Sequence, residues 1–328
     1  MTVPTIGISD PTFVSLSSAA QVSRLAAYSG LGANVGYIRI DASWDQYEGA
    51  GSGTYHWNLL DIAINNIATQ STLQTLLIMN GQCPSWSSYG GSRTTGDTYP
   101  SGSTGQSQFA AYCATAANRY KNVSFFEIWN EPNGTQFWGS PSAANYTATL
   151  KAAANAIRAS NSKAAIISAG LSPEDGTGGS ITPVNFLSGM YTAGAKGYMD
   201  AVGMHPYCYP NLPNAYALWS GWSQMNATPT SLRSVMLNAG DSATPLWVTE
   251  FGGPTATPVG VGYTTTQQAT AFTQAIADAK AASYITGFFV YEWIDARSGD
   301  SNTEDNFGLV LSSGDNKPAF TAVKNAIA

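Results

Sequence analysis

Residues Phe125–Asn133 read FFEIWNEPN, and a later stretch, Pro245–Phe251, reads PLWVTEF. Val123–Trp129 is a short apolar and aromatic run, the pattern of a strand buried on both faces. It stops at Asn130-Glu131-Pro132-Asn133. Proline removes a backbone donor and restricts the residue before it, so the strand is expected to end here with Glu131 extended. A carboxylate at the tip of a buried strand is costly unless it is used. Glu250 closes the second run in the same way, before Gly252-Gly253-Pro254. Two glutamates on strand tips, 119 positions apart, are the raw material for a pair of catalytic carboxylates.

Outward from these runs, strand and helix patterns alternate along the chain. Strands are expected at Thr5–Ser9, Val35–Ile40, Leu73–Met79, Val123–Trp129, Ala165–Ala169, Ala201–His205, Pro245–Phe251 and Ile285–Trp293. Helices are expected at Ser18–Ser29, Trp57–Ala68, Gln106–Tyr120, Pro141–Ala159, Pro183–Ala193, Thr228–Ala239, Thr265–Ala281 and Lys317–Ile327. Eight such units without a break predict a single (β/α)8 barrel spanning 1–328 as one catalytic domain. The connections after the strands are long, notably Gly81–Gly105 and the aromatic Tyr207–Trp222, whereas those before them are short. Barrel active sites lie at the strand C-terminal ends, where these long loops gather.

Composition narrows the function. The chain has 328 residues, 10% of them charged, with a net charge of −6 and 14 Lys+Arg. No basic run exists to neutralise phosphates, which argues against a nucleic-acid partner and disfavours a strongly anionic polysaccharide. Nine tryptophans and seventeen tyrosines suit a neutral, hydroxyl-rich ligand, although many must be core. No run of about 18 apolar residues exists to span a membrane. Few lysines and Ser/Thr/Gly-rich loops give an extracellular style, so a secreted monomer with its leader removed is expected. Cys83, Cys113 and Cys208 match no metal or redox spacing; all three are expected to be buried thiols, with one disulfide as the alternative. Two histidines without metal-ligand spacing and no phosphate-binding glycine loop leave no cofactor or metal to expect.

The expected strand ends carry Arg39 and Asp41, Asn80, Asn130 and Glu131, His205 and Tyr207, Glu250, and Glu292 and Trp293. Taken singly, Arg39 fits a buried ion pair, His205 a bonded core histidine and Trp293 packing. Together they fit glycosidic-bond hydrolysis, which needs one protonated carboxyl for the leaving oxygen and one ionised carboxylate to attack or to activate water. Arg39 and Tyr207 are suited to keep Glu250 ionised. Asn130 is suited to hold the hydroxyl beside the reacting carbon. A tryptophan at the mouth offers a flat face to a sugar ring. An aldol chemistry would want a lysine on a strand, and the seven lysines fall on helices or loops.

The motif Asn130-Glu131-Pro132 with Glu250, supported by Arg39, His205, Tyr207 and Trp293, resembles the clan A glycoside hydrolases. Trp44, Glu48, Gly53, Tyr55, Trp57 and Asp61 resemble that clan's strand-two loop and following helix. The resemblance covers the whole chain. It implies Glu131 as acid/base, Glu250 as nucleophile, retention of anomeric configuration, and Arg39, Trp44, Asn80, Asn130, His205, Tyr207, Glu292 and Trp293 around an oligo- or polysaccharide. The look is nearest to family 39, with families 5 and 42 less close. Family 39 xylosidases usually carry an extra β-domain, which the chain does not accommodate, so an open groove and endo action are expected. The competing reading is a non-catalytic sugar-binding barrel or adhesin, against which stands the retention of both glutamates. Finally, Asn133-Gly134-Thr135 is one of four Asn-x-Ser/Thr acceptors. If Asn133 lines the cleft, a glycan there would block substrate, which points to a bacterial or phage source that does not glycosylate it.

Overall fold

A computed structural model describes residues 4–91, 98–226, 230–255 and 261–328. Eight parallel strands form the barrel: β1 Thr5–Ser9, β2 Val35–Ser43, β3 Gln74–Asn80, β4 Phe125–Ile128, β5 Ala165–Ser168, β6 Val202–Met204, β7 Leu246–Phe251 and β8 Ile285–Tyr291. The hydrogen-bonded order is β5-β4-β3-β2-β1-β8-β7-β6. The bridges Ile167–Ala201 and Leu171–Met204 bring β5 to β6 and complete the ring. The helices between the strands are α1 Ser18–Tyr28, α2 Asn58–Gln70, α3 Gly102–Arg119, α4 Ala143–Ser160, α5 Pro183–Thr192, α6 Leu232–Asn238, α7 Thr265–Ala281 and α8 Pro318–Ile327.

The strands form where the sequence runs apolar because each is covered twice, by helices outside and by the filled barrel inside. The interior filling is layered. Tyr37, Leu76, Phe125, Ile167, Ala201, Trp247 and Phe289 close the lower barrel as a plug, with the Tyr37 ring stacked 5.3 Å from Trp247 and 5.7 Å from Phe289. Gly7 is required beside this plug, since a Cβ there would sit 2.5 Å from the Phe289 ring. Two residues further along, the same inward rows carry Ser9, Arg39, Glu127 and Thr249, all buried. Strand periodicity alone thus turns an aromatic floor into a polar layer directly beneath the mouth.

Local signals set the helix ends. Ser142 and Thr182 accept the backbone N–H groups of Asn145 and Asn185 to cap α4 and α5, and Thr264 with Gln267 makes a reciprocal capping box on α7. The helix expected at Thr228–Ala239 begins at Leu232, because Ser231 and Ser234 form a capping box there; residues 227–229 lie outside the described ones. At the end of the aromatic loop a short helix, Gly221–Asn226, begins. The long loop after β3 carries a small hairpin, Tyr89–Gly90 with Tyr99–Pro100, and its residues 92–97 lie outside the described ones. Cys83, Cys113 and Cys208 are all buried, and Cys113 and Cys208 are free thiols. No helix of the described residues is long and apolar enough to cross a membrane.

Candidate active site

Two backbone irregularities aim the two strand-tip glutamates. Along β7, strict alternation would turn Glu250 away from the interior once Thr249 faces it. The register between β8 and β7 slips there: Phe288 pairs with Val248, and Val290 with Phe251. Three residues of β7 therefore span two of β8, a bulge that lets Thr249 and Glu250 both face inward. At the end of β4, Trp129 and Glu131 have φ of 70° and 42°. The expected extended Glu131 is thus corrected: despite the following proline it lies in the left-handed region. Such conformations cost about 1–3 kcal/mol each and persist only where surroundings impose them. Here the Trp129 indole N–H donates to the Phe137 carbonyl, and the Glu131 N–H donates to the Gly170 carbonyl.

The result is one compact constellation. His205 Nδ1 lies 2.7 Å from Glu131 Oε1 and 3.5 Å from Glu250 Oε2. Donor oxygens of the two glutamates come within 4.8 Å of each other. Arg39 Nη1 donates to Glu250 Oε1 and the Tyr207 hydroxyl to Glu250 Oε2, both at 2.6 Å. Arg39 Nη2 donates to Asn130 Oδ1 at 3.2 Å, which leaves the Asn130 amide N–H groups for a ligand. Asn80 donates to Asp41 Oδ1 at 2.6 Å, and its own buried Oδ1 has no partner among the described residues.

Environment splits the two carboxyls. Burial raises Glu131 above the usual carboxylate range; the hydrogen bond and charge of His205 oppose this, and the charges of Glu250 and Glu174 add to it. Burial acts on Glu250 in the same sense. There, however, the charges of His205 and Arg39 and the hydrogen bonds from Tyr207 and Arg39 win, holding it below the usual range. Burial works against a charge on His205, yet Glu250 and Glu131 raise it. Glu131, His205 and Glu250 offer donor atoms at metal-compatible spacing. The Arg39 guanidinium at 2.6 Å and the raised proton affinity of His205 oppose a dication among them.

The glutamates sit in a cleft of about 690 Å³ that Arg39, Asp41, Asn80, Asn130 and Tyr207 also line. Four other expected residues are placed differently. Trp293 is buried away from the cleft, edge-on to Tyr28 and Phe320, because the chain turns outward after Tyr291 and tucks it between α1 and α8. Glu292 is buried beside it and does not line the cleft. Trp44 opens a one-turn helix, Trp44–Glu48, and packs on Trp86 and Phe109 while donating to Glu48. His205 is wholly buried beneath the cleft floor and touches the glutamates from below. Asn133 is corrected as well. It is buried, donates to the Ser172 and Ile181 carbonyls and does not line the cleft, so the source inference from a glycan at that site loses its premise.

The cleft also holds residues the strand-tip reading did not single out. Tyr291, which ends β8, and the loop residues Phe137, Tyr209, Trp219 and Phe307 give it aromatic walls, and Glu174, Asp175 and Glu304 line it with further carboxylates. Tyr209 and Trp219 lie in the aromatic loop whose composition already marked it. Glu127, on β4 four residues before Glu131, pairs with Arg39 Nε at 2.6 Å and is fully buried. The ion-pair reading of Arg39 holds, and the same residue lines the cleft.

A barrel with these paired glutamates at its mouth has the architecture of clan A glycoside hydrolases. The family model described as cellulase, glycosyl hydrolase family 5, matches residues 19–289, and the chain belongs to that family. The resemblance placed family 39 first, and the solved structures of similar fold include both families. A family 39 glycoside hydrolase from Bacteroides cellulosilyticus WH2 is 20% identical, with a TM-score of 0.72, over 99% of this chain and 63% of that one. An exo-beta-1,4-mannosidase from Opitutaceae bacterium strain TAV5 is 18% identical, with a TM-score of 0.67, over 99% and 59%. A GH5_18 protein from Streptomyces cattleya, solved with GlcNAc, is 16% identical, with a TM-score of 0.70, over 99% and 80%. The chain thus spans less than two thirds of the first two. No curated protein sequence matches it.

Proposed function

We propose that this barrel is a retaining glycoside hydrolase that cleaves an oligo- or polysaccharide by double displacement, with Glu250 as nucleophile and Glu131 as acid/base. The observation that carries this is the opposite bias of two carboxyls whose oxygens come within 4.8 Å. That closest approach of one oxygen from each lies nearer the about 5–5.5 Å of retaining pairs than the about 6.5–9.5 Å of inverting ones. In the first step a Glu250 oxygen bonds the anomeric carbon, the glycosidic C–O bond breaks, and the Glu131 proton passes to the leaving oxygen. In the second, water attacks the glycosyl ester, gives its proton to Glu131, and Glu250 leaves as carboxylate.

The remaining residues have roles that follow from their contacts. Arg39 and Tyr207 occupy both Glu250 oxygens, keeping it ionised and fixed in rotamer. Asn130, turned by Arg39, presents N–H donors to the hydroxyl beside the reacting carbon, and Asn80 presents its free Oδ1 to another. Trp219, 43% exposed at the rim, supports a ring beyond the cleavage point, which favours attack within a longer glycan. A secreted monomer with no cofactor completes the reading, supported by the low charge content. Digestion of a panel of neutral glycans with product sizing tests it. Mixed oligosaccharides from a polymer support the endo reading; monosaccharide alone would make it exo-acting, and no product from any glycan would remove the enzymatic reading.

A further inference from the structure

We infer that Glu127 is the positioning residue that holds both glutamates of the site in register, through one arm to each. This rests on the two-glutamate reading above. Glu127 lies on β4, four residues before Glu131, and is 0% exposed. Its Oε2 accepts from Arg39 Nε at 2.6 Å, and the same guanidinium donates from Nη1 to Glu250 at 2.6 Å. That is the first arm, and it runs across the barrel from β4 through β2 to β7. Its Oε1 accepts from the Gly170 N–H at 2.9 Å, while the Gly170 carbonyl accepts the Glu131 N–H at 3.1 Å. That is the second arm, and it fixes the residue whose φ of 42° needs an outside restraint. The same Oε1 accepts from Thr249 Oγ1 at 3.0 Å, on the residue beside Glu250.

Chemistry requires a carboxylate here. A guanidinium buried against Glu250 alone would draw that carboxylate towards itself with its whole charge and depress its basicity. Shared with Glu127, the charge is divided, and the fork is held from the side opposite the cleft. A neutral residue could accept from Gly170 and Thr249 but would leave the Nε side of Arg39, which donates to Glu127 at 2.6 Å, without an anion.

Glutamine separates the two arms. In Glu127→Gln the amide oxygen can still accept from Gly170 and Thr249, while the amide N–H faces Arg39 Nε, donor against donor. The first arm breaks and the second remains. In Glu127→Asp the charge remains but sits one methylene further back. Protein labelled with ¹³C at the glutamate carboxyls and titrated by NMR reads both sites without any substrate. In Glu127→Gln the Glu250 titration should move down by about one pH unit, a typical effect of a nearby like charge removed, and that of Glu131 should stay in place. In Glu127→Asp the Glu250 titration should return most of the way to wild type. On any glycoside the wild type hydrolyses, kcat should fall about ten- to hundredfold in Glu127→Gln with KM little changed, the mark of lost positioning, and the acid limb of kcat/KM should follow the Glu250 titration. Unchanged titration and unchanged kcat in folded Glu127→Gln overturn the inference. So does loss of folding in Glu127→Gln accompanied by a Glu127→Asp variant whose Glu250 titration shifts as far as loss of the charge would shift it. A wild type that cleaves nothing removes the hydrolase reading, and the titrations still test the two arms.

Discussion

Replacing Glu250 with glutamine keeps shape and hydrogen-bonding capacity but removes the attacking lone pair of a carboxylate. The expected outcome is a fall in kcat on the order of 10⁴-fold or more with unchanged circular dichroism. Near-normal turnover would take Glu250 out of the mechanism. Glu131→Gln should discriminate between substrates. Aryl glycosides whose leaving group departs without a proton should lose far less than natural linkages, and equal losses on both would contradict the acid role. The wild-type kcat/KM should be bell-shaped. On the proposed roles its acid limb should follow ionisation of Glu250, which His205, Arg39 and Tyr207 hold below the usual range against burial, so activity should persist below ordinary carboxylate values. Its alkaline limb belongs to loss of the Glu131 proton, which burial holds above that range. In Glu131→Gln the alkaline limb should vanish. Since the two groups interact, the limbs report the pair.

Among the elements, the ends of strands decide what the site contains. The eight strands and eight helices were legible because buried parallel strands read as short apolar runs and their covering helices as amphipathic ones; Thr5–Ser9 and Thr265–Ala281 coincide with the expected spans. Glu131 and Glu250 were legible because a carboxylate closing such a run is out of place anywhere else. The direction in which a tip residue points was not. The bulge that turns Glu250 inward carries no marker residue, and the left-handed turn at Glu131 runs against the usual bias before proline. Trp44 and Trp293 went to packing for the same reason: each lies just past a strand end, where alternation no longer fixes direction. Gly170 shows how little slack such an end has. A Cβ there would sit 2.0 Å from His205 Nε2 and 2.6 Å from Thr249 Oγ1. Gly170→Ala should therefore lower stability by about 1–3 kcal/mol, measured by urea denaturation, and should cost activity by pushing His205 off Glu131. An alanine variant with wild-type stability and kcat would show that the loop relaxes freely. Glu292 allows a second test at this scale. Burial, with the charges of Asp10 and Asp295 behind it, pushes its carboxyl up to about 8. A raised carboxyl gives stability that is complete below the unfolded value of about 4.3 and is lost as pH rises towards 8. Glu292→Gln should leave Tm unchanged near pH 4 and raise it increasingly up to pH 8. A Tm gain independent of pH would contradict this.

Over the whole molecule, charge and shape converge on the mouth of the barrel. Asp41, Glu131, Glu174, Asp175, Glu250 and Glu304 all line the cleft, and Arg39, the cation among them, is already held by Glu127 and Glu250. Such a cleft repels anionic glycans. Oligosaccharides containing uronate should be cleaved at least about tenfold more slowly than neutral ones of the same linkage, with the gap narrowing as salt screens the field. Equal rates at low salt would contradict the electrostatic reading. The excess of acidic over basic residues was visible in the sequence; the gathering of carboxylates from the loops after β5 and β8 was not, since it depends on how those loops fold. The central claim, that Glu250 attacks the anomeric carbon, is tested most directly by trapping its product. The chain is incubated with a panel of 2-deoxy-2-fluoro glycosides bearing dinitrophenyl leaving groups, then digested and mapped by mass spectrometry. One fluoroglycosyl adduct per molecule, on the peptide containing Glu250, is the predicted result. An adduct on any other residue, or none in a protein that hydrolyses the parent aryl glycosides, would contradict it.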